Sequence, residues 1–332
     1  MKHLEDKVGN WYQIAGTRRY TLDEGRMKGT SAIDVKTGSG FEYTVLPDRG
    51  LDISLATYRG SNLVFLGPQG ETAPAYYDIH GRNWLYSFYA GLLTTCGPDN
   101  LGNPCVDEGE ELGLHGRFSN TPASNVAYDL DMLSDDPEIK ITGTIDLSES
   151  LLSKLKVKRT ITSRVGESQV TVHDLIRNEG GKPVPLSMLY HINFGYPLLD
   201  ETVEIEVNSD KIESNNDYAE EHFEDRGAFG VPDVSNKEKN YLHSFDPGRT
   251  AFARIINRNL GIGVEISFQT DVFEFLNQWK MEGIKDYVLA LEPCTVPCLN
   301  RVQLRERNML KYIDPKEELE LAFTIKILDL KE

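Results

Sequence analysis

The sequence predicts an all-β protein, a large antiparallel β-sandwich with few short helices. Apolar residues alternate with polar ones over 139–147, 262–268 and 319–327. Successive side chains of a strand point to opposite faces, so each stretch is typical of a half-buried strand. Clusters of Gly, Pro, Asn and Asp separate the stretches at hairpin-like intervals. Strands and helices do not alternate along the chain, which disfavours a parallel sheet.

The chain is expected to form a single domain over residues 1–332. Residues 1–40 are expected to supply N-terminal strands or an extension, and the polar stretch 208–240 a loop insertion. Short helices are expected only around 72–90 and 216–226. No Pro- or Ser-rich linker, low-complexity tract or fixed-period repeat divides the sequence.

The charge balance disfavours two classes of partner. The chain has 35 basic and 52 acidic residues, a formal charge of −17. That field repels phosphate backbones and anionic lipids, so neither nucleic acid nor a membrane is expected as a partner. The N-terminus lacks the apolar core of a signal peptide, which predicts a cytoplasmic protein with reduced cysteines. The sequence leaves open whether the protein is a monomer or a homodimer.

Common cofactor and metal motifs are missing from the sequence. It contains no phosphate-binding glycine motif of the Walker or dinucleotide type, no His-Glu-x-x-His and no Gly-x-Ser-x-Gly. Cys294 and Cys298 together supply only two soft metal ligands, with no second pair. We therefore expect no metal and no cofactor.

Three segments combine polar, chemically able residues with strand context. They are 113–117 (Gly-Leu-His-Gly-Arg), 189–197 (Leu-Tyr-His-Ile-Asn-Phe-Gly-Tyr-Pro) and 287–295 (Tyr-Val-Leu-Ala-Leu-Glu-Pro-Cys-Thr). Glu292 ends an otherwise apolar strand, where partial desolvation would raise its pKa toward that of a useful general base. The alternatives are a solvated strand-end glutamate and, for His191, a hydrogen-bonded core histidine.

The order of these segments resembles the galactose mutarotase-like superfamily. A His-Gly segment, a His-x-x-Phe segment after Asn178–Gly181, and Leu-Glu-Pro near the C-terminus follow one another as in that superfamily. Residues 46–53 and 91–100 are similar to a divergent bacterial branch of aldose 1-epimerase-like proteins. The resemblance runs from about residue 40 to the C-terminus, and it implies a β-supersandwich with a sugar site in a cleft across one sheet.

The resemblance also implies roles for individual residues. It assigns His191 as general acid, Glu292 as general base and His115 as a histidine beside the sugar. Arg82, in Gly81-Arg82-Asn83, matches the family's substrate arginine. We expect the side chains of His191 and Glu292 to lie about 5–8 Å apart, because each reaches a single sugar ring by a hydrogen bond.

Other residues depart from the family pattern or extend it. Arg117 stands where family enzymes commonly have Gly, and Asn193 begins Asn-Phe-Gly in place of Tyr-Phe-Asn. Both are candidate substrate ligands, as is Arg49; the alternative for the two arginines is a surface or ion-paired role. Trp279 is a candidate stacking floor for the sugar, or part of the core. The family's Tyr-Asp-His-x-Phe becomes 241–245 (Tyr-Leu-His-Ser-Phe), which removes a carboxylate that holds sugar hydroxyls.

The expected function is therefore that of an aldose 1-epimerase, an isomerase that interconverts the anomers of a monosaccharide or modified sugar. Its substrate would be a small-molecule sugar. One alternative is a carbohydrate-binding or regulatory module without catalysis, because fold does not dictate function. The other is a glycoside hydrolase or lyase on a similar sandwich, although glycosidases generally need two carboxylates.

Overall fold

A computed structural model describes residues 6–331 and consists mainly of antiparallel strands. The first sheet is a meander near the N-terminus, formed by β1 (Gly16–Thr21), β2 (Ser31–Lys36), β3 (Phe41–Leu46), β4 (Asp52–Tyr58) and β5 (Ser61–Asn62). Residues 1–5, part of the expected N-terminal extension, lie outside the described residues.

The largest sheet has eight strands. They are β9 (Ala123–Leu130), β10 (Glu138–Asp146), β11 (Leu155–Arg164), β12 (Gln169–Asn178), β15 (Glu204–Val207), β18 (Thr250–Asn257), β19 (Ile262–Gln269) and β23 (Glu318–Asp329). Their spatial order is β15-β18-β19-β23-β12-β11-β10-β9. Along β10, Ile139, Ile141 and Ile145 are buried while Lys140 is exposed, as the period of two predicts.

A six-stranded sheet carries most of the residues singled out from the sequence. It comprises β6 (Thr94–Cys96), β14 (Leu189–Phe194), β16 (Lys211–Ser214), β17 (Lys239–Ser244), β20 (Phe275–Glu282) and β21 (Tyr287–Cys294). Its order is β16-β17-β20-β21-β14-β6. Two small two-stranded sheets complete the strands: the hairpin of β7 (Cys105–Asp107) with β8 (Glu110–Leu112), and the long-range pair of β13 (Val184–Pro185) with β22 (Tyr312–Ile313).

Helical structure is short in the described chain. It consists of α1 (Asp217–Glu221), α2 (Arg301–Glu306) and single 3₁₀ turns, among them Pro74–Tyr76, Asn83–Tyr86 and Phe223–Gly227. Neither α1 nor α2, the two α-helices within residues 6–331, has the length or apolar composition needed to cross a bilayer. The segment 208–240, expected to be a loop insertion, also holds regular structure, since β16 and α1 lie within it. The all-β antiparallel sandwich with few short helices is confirmed.

The core lies between the sheets. One large hydrophobic cluster joins Val45 of the first sheet, Ile141 and Phe323 of the eight-stranded sheet, and Ile192 and Leu291 of the six-stranded sheet. The opposite faces of β14 and β21 are thereby left free for polar side chains.

A buried polar network joins the three large sheets behind β14. The Arg159 guanidinium, fully buried on β11, donates to Asp52 at 2.7 Å and to Asp174 at 2.7 and 2.8 Å. The Tyr190 hydroxyl donates to the same Asp174 at 2.7 Å. Buried charges are tolerated only when paired and hydrogen-bonded, and these are. Because Tyr190 precedes His191 on β14, the network holds the strand in place directly beside His191.

Candidate active site

A cavity of about 910 Å³ lies on the face of the six-stranded sheet that points away from the core. Side chains of β14, β16, β17, β20 and β21 form its floor, and loops around residues 65–69, 82–88, 102–103 and 114–115, with the α2 region, form its walls. The sequence-predicted residues that line it are Arg82, His115, His191, Trp279 and Glu292.

The register of the strands places four side chains in one row across the floor. Leu242 pairs with Asn277, and Asn277 pairs with Glu292. On the other side of β21, Leu291 pairs with Ile192, so the next residues of that register, Glu292 and His191, lie opposite each other. Directly opposite residues of antiparallel strands bring their Cβ atoms to about 5 Å. The row explains why residues about a hundred positions apart meet here.

His191 and Glu292 are in direct contact. His191 Nε2 lies 3.1 Å from Glu292 Oε1, closer than the expected range, and both residues are buried, 5% and 1% exposed. The two atoms are near each other but are not aligned for a hydrogen bond, so Oε1 has no hydrogen-bond partner within the described chain. Glu292 Oε2 instead accepts from Asn277 Nδ2 at 2.7 Å. One carboxylate oxygen is therefore anchored, and the other is free to act at the cavity.

Burial determines the protonation of this pair. It raises the pKa of Glu292 to about 8, and the hydrogen bond from Asn277 offsets only part of that rise. Burial also lowers the pKa of His191 to about 3, helped by the neighbouring imidazole of His115 and opposed by a hydrogen bond with Asn193. Desolvation disfavours the charged form of both groups. Burial therefore favours a protonated Glu292 and a neutral His191 over an ion pair.

His115 stands beside the pair on a tight loop. Its ring centroid lies 6.0 Å from that of His191 and 4.7 Å from that of Trp84. Its φ of +56° is in the left-handed region, and the preceding and following glycines let neighbouring backbone approach closely. Burial is the main cause that lowers the pKa of His115 to about 4, and the positive charge of Arg82 lowers it as well. A hydrogen bond with the Leu101 backbone acts in the opposite direction. His115 is thus a neutral imidazole at neutral pH.

Aromatic rings enclose the histidines. Trp84 stacks on Phe88 with centroids 4.4 Å apart, and the Phe88 ring lies 5.2 Å from His191. The Trp279 ring is 5.7 Å from His191, and its Nε1 donates to Glu238 at 3.1 Å. Indole faces at such a site suit the C–H faces of a sugar ring.

Several buried polar atoms around the cavity have no partner among the described residues. They are Trp84 Nε1, Ser214 Oγ, Asn277 Oδ1 and Glu292 Oε1. A buried polar atom without a partner costs about 1–3 kcal/mol, so folded proteins rarely keep several together. A ligand rich in hydroxyl groups would satisfy donors and acceptors alike. Within residues 6–331, no three His, Cys, Asp or Glu side chains cluster so as to hold a metal ion.

Arg49 lies outside this cavity, which corrects its assignment as a substrate ligand. Its side chain is fully buried and donates to the carbonyls of Ser119, Thr72 and Ser87, and it stacks on Tyr89 at 4.7 Å. The 3₁₀ turn Pro47–Arg49 turns it inward. With its donors used in this way, the guanidinium ties loops together instead of facing a ligand.

Arg117 and Asn193 also lie outside the cavity lining. Arg117 is ion-paired with Asp99 at 3.0 Å and Glu149 at 3.6 Å, and it donates to the Leu147 carbonyl. Asn193 is fully buried and donates to the His191 carbonyl at 2.8 Å. The assignment of Arg117 as a substrate ligand is therefore corrected. Its charge is already paired with carboxylates of the protein, so its role is structural. Asn193 is corrected to a residue that supports His191 from behind.

Trp84, Leu242, Asn277 and Arg307 are among the lining residues that were not predicted from the sequence. Asn277 could have been predicted from the sequence, because it precedes Trp279 by two positions and therefore lies on the same face of β20. Trp84 and Arg307 come from loop segments whose side chains follow no period. Leu242 occupies the position of the lost carboxylate and brings an apolar side chain to the row.

The fold is similar to that of solved galactose mutarotase-like and aldose 1-epimerase-like proteins. A Klebsiella pneumoniae structure described as a candidate aldose 1-epimerase is similar over 98% of this chain and 85% of its own, with a TM-score of 0.89 and 24% identity. A galactose mutarotase-like protein from Clostridium acetobutylicum matches with a TM-score of 0.69 and 14% identity, over 96% of this chain and 99% of its own. Galactose 1-epimerase from Lactobacillus acidophilus matches with a TM-score of 0.58 and 11% identity, over 95% of this chain and 99% of its own.

Residues 27–327 match the family described as a domain of unknown function, DUF4432. The chain therefore belongs to the DUF4432 family. No curated protein matches it by sequence. At these identities the solved structures establish the fold, and the chemistry has to be argued from the site.

Proposed function

We propose that the protein is an aldose 1-epimerase, interconverting the anomers of a sugar by general acid/base catalysis. The observation that carries the proposal is the buried pair of His191 and Glu292, 3.1 Å apart on the floor of a large cavity. Ring opening moves one proton onto the ring oxygen and one off the C1 hydroxyl. These two oxygens are bonded to the same carbon, so two catalytic atoms in contact with each other can reach both.

The proton balance needs only the single proton that the pair holds. Glu292, protonated at rest, donates to the ring oxygen while His191 takes the proton of the C1 hydroxyl, leaving an aldehyde and an imidazolium–carboxylate pair. After rotation about C1–C2, His191 returns its proton to the carbonyl oxygen and Glu292 removes one from the attacking hydroxyl. Starting from protonated His191, as the family resemblance implies, reverses the order and gives the same balance. Each transfer by a positioned group contributes about 10²–10⁴-fold.

The remaining lining fits a hydroxylated ring. Trp279 offers an indole face, His115 offers a neutral imidazole, and Arg82 projects at the rim. The apolar Leu242 in the row next to Asn277 provides no partner for a sugar hydroxyl. This supports a modified sugar over galactose or glucose, because a hydroxyl facing Leu242 would lose a hydrogen bond.

The proposal is tested by anomer exchange in solution. Magnetisation transfer between the α and β anomeric protons, measured by NMR at equilibrium for a panel of aldoses, reports catalysis without any coupled enzyme. We expect exchange of at least one sugar to accelerate in proportion to protein concentration. Binding without accelerated exchange for every sugar that binds would point to a carbohydrate-binding module instead.

A further inference from the structure

Two arginines on the cavity have no ion-pair partner. Within the described residues, neither Arg82 nor Arg307 forms a salt bridge or a side-chain hydrogen bond, and both line the cavity and are solvent-exposed. The two arginines of α2 differ from them, because Arg301 donates to Asp107 at 2.7 Å and Arg305 donates to the same carboxylate at 2.7 and 3.0 Å. The unpaired guanidinium groups are thus concentrated where a ligand would sit.

Backbone contacts bring these two arginines to one end of the cavity. The Leu114 amide donates to the Gly81 carbonyl at 3.0 Å, which places Arg82 beside the His115 loop. Asn100 Nδ2 donates to the Gly113 carbonyl at 2.8 Å, and its Oδ1 accepts from the Arg301 amide at 2.9 Å. Asn100 therefore joins the His115 loop to α2, the helix that Arg307 follows.

Of the four carboxylates that line the cavity, Glu213 and Glu238 lie at the other end, Asp286 lies between β20 and β21, and Glu292 contacts His191. Glu213 is on β16 and Glu238 adjoins β17, at the far edge of the sheet from β14 and β6. Glu213 is paired with Lys211 at 2.8 Å, and Glu238 accepts from Trp279. The two arginines without an ion-pair partner among the described residues therefore lie at the His115 end, away from Glu213 and Glu238.

We propose that the sugar carries an oxyanion, a carboxylate, phosphate or sulfonate, which Arg82 and Arg307 bind. A guanidinium presents a planar fork of donors that matches such a group bidentately. An anion in the cavity would supply the counter-charge that both guanidinium groups lack among the described residues. Since the protein as a whole is strongly negative, long-range steering cannot draw an anion in, and these local charges must supply the recognition.

The geometry also sets the orientation of the substrate. The anomeric carbon sits at His191 and Glu292, His115 lies next to them, and Arg82 is close enough to lower the pKa of His115. The two arginines therefore place the oxyanion on the His115 side of the catalytic pair. This inference rests on the proposed function for the orientation, whereas the oxyanion site itself rests on the two arginines.

The test compares sugar pairs that differ only in the acid group. Binding by calorimetry and anomer exchange by NMR are measured for glucuronate and glucose 6-phosphate against glucose, and for galacturonate against galactose. Wild type, Arg307→Gln, Arg307→Lys, Arg82→Gln and the control Arg18→Gln, an exposed arginine on β1, are compared. The uronate and phosphate arms show which oxyanion is preferred.

We expect the wild type to bind at least one acidic sugar about 10-fold or more tightly than its neutral counterpart. Arg307→Gln and Arg82→Gln should each reduce that ratio by about 10-fold, Arg307→Lys should restore part of it, and Arg18→Gln should leave it unchanged. The oxyanion site is overturned if acidic and neutral sugars bind equally well, or if Arg307→Gln leaves the ratio of their affinities unchanged. In that case, accelerated exchange of neutral sugars would still support the proposed function. Preferential acidic binding without exchange supports the oxyanion site and rejects the epimerase.

Discussion

Asn277 faces Glu292 across the β20–β21 pair, and its amide nitrogen donates to Glu292 Oε2 at 2.7 Å. This single bond decides which oxygen of the carboxylate is anchored and which one faces His191. Because the Asn277 carbonyl oxygen has no partner among the described residues, the amide is also poised to accept from a ligand hydroxyl. Asn277 thus serves both the proposed acid/base pair and the proposed sugar site.

Glu292→Gln should abolish most of the exchange while preserving the shape of the site. The amide cannot exchange a proton, so the rate should fall by about 10²-fold or more with little change in sugar affinity. His191→Asn should act likewise, and the double variant should lose much less than the product of the two losses, because both groups act in one step. Full exchange by Glu292→Gln, measured by NMR, would remove the role given to Glu292.

The pH profile of exchange should have a broad plateau. Activity needs one proton on the pair, so it should fall as pH drops toward the His191 pKa of about 3 and as pH rises through the Glu292 pKa of about 8. Measuring kcat/KM from pH 4 to 10 in inert buffers checks the basic limb directly. A rate that keeps rising well above pH 9 would contradict a protonated Glu292 in the active form.

Glu292 should also cost the protein stability at high pH. Its folded-state pKa is raised, so its favourable contribution is complete below the ordinary carboxyl pKa and is lost as pH rises toward about 8. Glu292→Gln has no such ionisation, and its melting temperature should exceed that of the wild type by a margin that grows from about pH 5 to pH 8. Glu306→Gln, at an exposed position, serves as the matched control.

Sugar binding should change tryptophan fluorescence. Of the three tryptophans, Trp84 and Trp279 line the cavity and Trp11 does not. The signal should persist in Trp11→Phe and diminish in Trp279→Phe, which should also weaken binding by about 5-fold, since stacking on an aromatic face contributes on the order of 1 kcal/mol. An unchanged signal in Trp279→Phe would place the sugar away from β20.

Arg49→Met should destabilise the fold without a specific effect on sugar binding. It leaves three buried carbonyls without their donor, so the free energy of unfolding should fall by about 3 kcal/mol or more. Urea unfolding measures this loss, and KM measured on the remaining folded protein should stay near the wild-type value. A large rise in KM at unchanged stability would restore Arg49 as a substrate ligand.

The fold and the central pair could be predicted from the sequence, because a period of two assigns side chains to faces and the ordered motifs pointed to His191 and Glu292. Periodicity does not specify which residues of neighbouring strands pair. The contact between His191 and Glu292 was therefore expected at a longer distance than the register sets. Arg49 and Arg117 were misplaced for a different reason, because the partners of a loop arginine depend on distant segments that come together only in the fold.

The alternation along β20 has a further consequence for how this protein could change. Asn277, Trp279 and Met281 line the cavity, whereas Gln278, Lys280 and Glu282 bond to segment 222–236 on the other face. Substitutions on one face of β20 can therefore accumulate without disturbing the contacts of the other face. Substitutions at 279 and 281, together with 242 on β17, would shift which sugars are accepted while the scaffold stays intact. A small combinatorial library confined to these three positions should yield mostly folded proteins with diverging substrate ranges.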